Sequence, residues 1–413
     1  MALVSGTSNG RILKILVAGL ALSGCTRQAA GWSEIAAARY LDHSAAQWLA
    51  WPDAQRDERT VCISCHTALP YLLVRDALPS TPKLPGAQRA AAETRLLASV
   101  DKRVQLGMVL PPYYPEQALA ARGTEGVLNA LILAHQDFAT GQLTALTQRA
   151  LAQLWALQIS SGSQAGSWPW INFRNEPWEA PDSSFVGATF AALAIGYTPR
   201  DYLAHPEVQV GLRRLLAYLD AAYGHEPLLN RIGLLWASGR LPQLLTPATK
   251  SALISEIWRY QRADGGWNAA SLMPDWKRRD SRRQPTSSDG YATGFVALAL
   301  QEGGITRNDA RLTRALRWLK SQQGFWSGGW SAQSLNRRHD HGEFSGHFMD
   351  DAATAYAVLA LTAPRNLEVA TAALVQTSEQ PSTICREVTR QPQRPDSPHP
   401  GAADTCGHSE MHR

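Results

Sequence analysis

From residue 33 to about residue 376, apolar side chains recur at the three- and four-residue spacing of helices, and runs that alternate with period two are scarce. Stretches 143–157, 208–223 and 310–322 carry an apolar stripe on one face and polar residues on the other, with Gly, Pro, Asn and Asp turns between them. A second kind of segment has no polar face at all. Residues 289–300 (DGYATGFVALAL) match residues 350–361 (DDAATAYAVLAL) position by position, residues 184–195 (SFVGATFAALAI) are a third copy, and residues 126–134 and 231–237 are degenerate ones. Successive copies stand roughly 40–60 residues apart, or about 105 where one is skipped, which suits one helical hairpin per unit. An Ala- and Gly-rich helix that is apolar all round has to be buried all round. The repeats therefore predict an all-α barrel of two layers, these segments inside and the amphipathic ones outside.

The turns before the inner segments carry a second pattern. Gln261 to Trp267 (QRADGGW) fits Q-x3-G-x-W, and Gln158…Gly166-Ser167-Trp168 and Gln323…Gly328-Gly329-Trp330 are looser copies. These turns resemble the QW motifs of squalene–hopene and oxidosqualene cyclases. The resemblance covers about residues 120–376 and implies an (α/α) toroid of the terpenoid cyclase/protein prenyltransferase type, in which the Gln caps a helix end and the Trp indole stacks on it. It says less about chemistry, because such turns are structural. The family's proton-donating motif is D-x-D-D-T-A. Here Thr354 and Ala355 match its end and Asp350 its first Asp, Asp351 takes the variable position, and Ala352 and Ala353 replace the second and third Asp. The cyclase acid is thus missing in this register. Asp350 and Asp351 remain the candidate catalytic carboxylates of a diverged cyclase, against a reading as two exposed carboxylates that cap a helix and favour its dipole. The zinc set of the prenyltransferases is not recoverable, since no cysteine lies between Cys65 and Cys385.

Arg11 and Lys14 precede the apolar run 15–22, too short to span a bilayer, and the segment closes with Leu22-Ser23-Gly24-Cys25. This resembles a bacterial lipobox, which implies a signal peptide over residues 1–24, lipid on Cys25 and a protein tethered on the periplasmic side of a membrane. An ordinary secretory signal is the alternative. Export makes the other cysteines interpretable. Cys385 and Cys406 lie in a Gln-, Pro-, Ser- and His-rich tail (377–413) without apolar periodicity, and pair there as an expected disulfide. The net charge of +5 is spread out, with no Lys/Arg block that would track phosphates, so nucleic acid is not an expected partner.

Cys62-Ile63-Ser64-Cys65-His66 is C-x-x-C-H, the attachment signature of c-type haem, in which two thiols add to the vinyl groups and the adjacent His ligates iron. A redox-active thiol pair and a zinc half-site are the other readings of the same residues. Met108, in a loop about 40 residues on, is the candidate distal ligand, or else a plain core methionine. The segment 25–115 is short for a separate cytochrome domain, so it is expected to pack on the toroid (116–376) or to form its first hairpins. His339, His341 and His347, close to Asp350, form a further candidate metal cluster, or else a solvated loop at the barrel mouth. The functions in play are a membrane-tethered haem lipoprotein that binds an apolar, isoprenoid-like ligand and meets a redox partner, a diverged cyclase, and a non-catalytic binding scaffold.

Overall fold

The computed structural model describes residues 31–79, 86–340 and 342–378, with the backbone alone for 86–90 and 364–378. The expectations for Cys25, His341 and the Cys385–Cys406 pair lie outside the described residues. The chain forms thirteen helices among the described residues: α1 Glu34–Ala50, α2 Ala68–Val74, α3 Gly86–Leu106, α4 Ala118–Phe138, α5 Ala145–Ala156, α6 Ser184–Gly196, α7 Arg200–Ala204, α8 Pro206–Tyr223, α9 Leu228–Ser238, α10 Pro247–Arg259, α11 Gly290–Glu302, α12 Ala310–Gln322 and α13 Phe348–Ser378. No strand forms among these residues, where only two isolated bridges, Gln55 with Val61 and Asn175 with Glu179, occur.

Helices α2, α4, α6, α9, α11 and α13 each pack on the next, and α13 returns to α2. They form a closed inner ring of six. Outside it run α1, α3, α5, α8, α10 and α12, so the architecture is an all-α, two-layered (α/α) toroid. The inner copies are apolar all round for the reason their sequences suggest: every residue of α11 from Gly290 to Gln301 is buried. The Cys62–His66 motif belongs to this ring, because it leads directly into α2, the first inner helix. Helix α2 is only seven residues long and wholly buried. A buried ion pair fixes it to α1: Asp42 accepts from Arg75 Nε at 2.7 Å and Nη2 at 3.1 Å, and from the Tyr71 hydroxyl at 3.1 Å.

The three Gln…Trp turns share one geometry. Each Gln side-chain amide bridges its own turn to the outer helix of the next hairpin. Gln158 Nε2 donates to the carbonyls of Gly166 (3.1 Å) and Gly211 (2.9 Å), and Gln261 Nε2 to those of Gly265 and Arg311 (both 2.9 Å). Gln323 Nε2 donates to Gly328 O (2.7 Å) and to Ser33 O (2.9 Å), while its Oε1 accepts from Ser33 N (2.6 Å). The last turn therefore grips the start of the first helix and closes the ring. Each Trp indole N–H donates back to the preceding outer helix, at Leu154 O (2.7 Å), Ile257 O (3.0 Å) and Leu319 O (2.7 Å), and all three rings are fully buried. Gly328 has φ +77°, and a Cβ there would run into the Ala36 carbonyl; only glycine suits such a close approach in the left-handed region.

The centre of the ring is filled. Trp178, Phe190, Tyr291, Phe295 and Tyr356 leave a void of about 30 Å³, about the space one water molecule takes up in the liquid. A polycyclic substrate has no room there. The hairpin order puts the outer-to-inner connections at one end of the barrel, and there a cavity of about 320 Å³ opens.

Candidate functional site

The cavity is built from the connections around the motif. Trp48 and Trp51 come from the end of α1, Tyr113 and Tyr114 from the loop before α4, Phe173, Asn175 and Glu179 from the loop before α6, and Arg279, Arg337, His339 and Phe348 from the last two loops and the start of α13. Cys62 and His66 line it as well.

Local hydrogen bonds dictate how the motif enters the cavity. Ser99 on α3 holds Val61 at both ends, accepting from its N–H at 2.8 Å and donating to its carbonyl at 3.1 Å. Trp48 Nε1 donates to Cys62 O at 2.8 Å. Ser64 Oγ accepts from the N–H groups of Thr67 (3.2 Å) and Ala68 (3.0 Å), so the second of the two residues between the cysteines satisfies N–H groups at the start of α2. On the far side, a buried pair of Arg103 with Glu125 joins α3 to α4, and the guanidinium lies 4.3 Å from the Tyr113 ring centroid.

His66 is 3 % exposed. Its ring stacks on Phe348 with centroids 3.6 Å apart and 16° between planes, and meets Trp48 edge-on at 5.3 Å. Burial lowers its pKa to about 3, so the imidazole is neutral near pH 7. Its Nδ1 lies 2.9 Å from Thr67 Oγ1, which in turn donates to Asp351 Oδ2 at 2.7 Å. Nε2 has no hydrogen-bond partner among the described residues.

Cys62 and Cys65 are free and buried. Burial pushes the Cys62 thiol up to about 12, although Arg56 and the Tyr114 hydroxyl, 3.7 Å from Sγ, pull it the other way. Cys65 is also raised by burial, with Glu179 adding to the effect, and it sits just behind the cavity wall rather than on it. Both thiols are therefore protonated at neutral pH in the metal-free protein. Among the described residues no group of three or more His, Cys, Asp or Glu side chains is placed to hold a metal ion.

The other candidates fall in different places. Met108 is 73 % exposed on a loop and does not line the cavity, so it is neither a core methionine nor close to His66. His347 is exposed, so the His339/His347 pair does not converge on one ion. His339 does line the cavity, with Nδ1 engaged by Glu343 Oε2 (2.9 Å) and Ser345 Oγ (3.1 Å). Asp350 and Asp351 are not exposed caps. Asp350 Oδ1 accepts from Ala332 N at 2.8 Å, as Asp289 Oδ2 accepts from Ala269 N at 2.7 Å in the preceding repeat. Asp351 is 3 % exposed and faces α1 and the motif. The sequence pointed to neither Trp48 nor Phe348 and Glu179 as cavity residues, since nothing in their spacing relates them to the motif. Burial raises the Glu179 carboxyl to about 7.

No protein-family model matches the chain. Among curated proteins it is similar to one described as a probable squalene–hopene cyclase, from Sinorhizobium fredii (strain NBRC 101917 / NGR234), with 33 % identity over 78 residues. The match spans 19 % of this chain and only 12 % of that protein. Together with the helical ring, it marks the chain as squalene-cyclase-like in fold.

Proposed function

We propose that the protein is an exported, lipid-anchored haem protein. Its toroid carries a c-type haem on Cys62 and Cys65 and serves electron transfer, or redox chemistry on an apolar, isoprenoid-like ligand. The observation that supports the reading best is His66, a buried neutral imidazole with Nδ1 tied down and Nε2 without a partner, in a cavity it shares with Cys62. When bound, haem supplies one-electron transfer at its iron.

The residues present fit such a group. Cys62 and Cys65 are both free, so each thiol could add across a vinyl group, with its sulfur and one hydrogen ending up on the former double bond. Trp48, Trp51, Tyr114 and Phe348 give apolar walls. Arg279 lines the cavity and suits a carboxylate side chain at its mouth, whereas Arg337 there is already paired through both terminal nitrogens with Glu343 (3.2 and 2.8 Å). The volume of about 320 Å³ is at the small end of the range for cofactor sites, about 300–1,000 Å³, and Cys65 has to turn toward the cavity for a second thioether. Were haem bound, His339 rather than Met108 would be the second residue to offer its iron a nitrogen or sulfur, because it lines the same cavity as His66 and its Nδ1 is already held by Glu343.

The cyclase alternative has less support: the ring centre is filled, Asp350 serves a backbone N–H, and Ala352 and Ala353 stand where the acid would be. The membrane tether rests on Cys25 and the lipobox-like segment 22–25 that ends on it; among the described residues no helix is long and apolar enough to cross a bilayer. Expression of the full chain with a c-type maturation apparatus, followed by a visible spectrum, tests the proposal. Soret and α bands that survive acidic acetone are expected, and Cys62→Ser/Cys65→Ser should lose them. A colourless wild-type protein overturns the haem reading.

A further inference from the structure

We propose that Asp351 is a positioning residue for His66: acting through Thr67, it fixes which imidazole nitrogen carries the proton and strengthens the other as a metal ligand. This rests on the haem reading and adds to it the group that tunes the ligand.

Counting hydrogens gives the direction of the relay. Asp351 receives the Thr67 hydroxyl at 2.7 Å on Oδ2 and the Tyr40 hydroxyl at 3.1 Å on Oδ1, with Ser44 as a further donor. A hydroxyl has one hydrogen, and that of Thr67 is engaged by the carboxylate. Only its lone pairs are left for His66, 2.9 Å away. Nδ1 therefore carries the imidazole hydrogen, and Nε2 keeps the lone pair on the side where it has no partner. His66, Thr67 and Asp351 are each 3 % exposed, so no bulk water competes for these bonds. A histidine whose N–H is accepted by a hydroxyl that itself donates to a carboxylate is a more basic ligand, held in one tautomer and one orientation.

The internal repeat shows that the fold itself does not need this carboxylate. In the two other close copies of the segment, Asp289-Gly290 and Ser184-Phe185 stand where Asp350-Asp351 stand here. Asp350 keeps the structural role seen at Asp289, while Gly290 and Phe185 have no carboxylate to offer. Of the three copies, only the one on α13, which packs on α2, has an acid at the second position. The same helix also supplies Phe348, on which the His66 ring stacks, so α13 sets both the plane and the proton of the imidazole.

The test compares haem-loaded wild type with Thr67→Val, Asp351→Asn and, as a control, Asp350→Asn, reading the midpoint potential. Loss of the relay weakens the donor to oxidised iron, so the first two variants should shift the oxidised/reduced ratio about tenfold toward the reduced form, an upward move of about 59 mV. Thr67→Ser should restore the wild-type value and Asp350→Asn should keep it. Nitrogen NMR of the haem-free full chain should show His66 protonated at Nδ1, with the other tautomer gaining population in Thr67→Val. Because Thr67→Val is close to isosteric, it keeps the test informative if Asp351→Asn folds poorly. Haem-loaded Thr67→Val with a wild-type potential overturns this inference alone; a wild type that takes up no haem overturns the reading beneath it as well.

Discussion

Gln323 makes one of the polar links that close the ring, and Gln323→Ala measures how much it contributes. The amide makes three hydrogen bonds, two of which (2.6 Å and 2.9 Å) reach Ser33, 290 positions away in sequence, and the third (2.7 Å) holds its own turn at Gly328. A net hydrogen bond contributes about 0.5–1.5 kcal/mol. The two bonds to Ser33 are solvent-exposed and belong at the low end, so the loss should be about 2 kcal/mol. With an unfolding entropy of about 2.1 cal/mol/K per residue over roughly 340 residues, that lowers Tm by about 3 °C. Calorimetry on the full chain measures the shift, and hydrogen exchange localises it: amides of α1 should exchange faster while those of α8 stay as they were. Gln158→Ala, which loses two bonds of the same kind inside the chain of hairpins, should lower Tm less and leave α1 protected. An unchanged Tm together with unchanged protection of α1 would refute the view that this turn closes the toroid.

Other perturbations separate structural from chemical roles. Trp267→Ala removes a fully buried ring and its bond to Ile257 O, and should cost about 3–5 kcal/mol in chemical denaturation. In haem-loaded protein, His339→Ala should convert a low-spin spectrum to a high-spin one, whereas Met108→Ala should leave it alone; low-spin spectra in both variants would remove His339 as the second ligand. Burial raises the Glu176 carboxyl to about 9 from its ordinary value near 4.5, with Asp182 adding to the shift. The folded state then holds a proton that the unfolded state has lost over that window, so this group's contribution is full below about 4.5 and is lost as pH rises through about 9. Glu176→Gln should flatten the fall of Tm with rising pH between those values, and an unaltered slope would show the carboxyl to be ordinary.

Periodicity made the toroid legible because each inner segment is apolar on every side, and only a two-layered ring buries such helices all round. The first two hairpins were harder to see. Helix α2 is seven residues long and carries Pro70 in its first turn, so no helical repeat marks it as an inner helix; what places it there is packing on α4 and α13. Cys62, Cys65 and His66 stood out by spacing alone, but the cavity around them is assembled from five separate loops that spacing does not relate. Asp351 shows the limit most clearly. Its place in a degraded cyclase motif suggested an exposed cap or a relic of catalysis, and only the three-dimensional fold brings it to Thr67, 284 positions earlier.

The central claim is that the Cys62–His66 motif holds a covalent cofactor inside the ring. Peptide mass spectrometry of the full-length protein, made with a c-type maturation apparatus, tests it most directly. The account predicts that the peptide containing Cys62 and Cys65 carries the mass of one haem, and that both cysteines resist alkylation in the unfolded chain. The same peptide found unmodified, with both thiols alkylated, would contradict it.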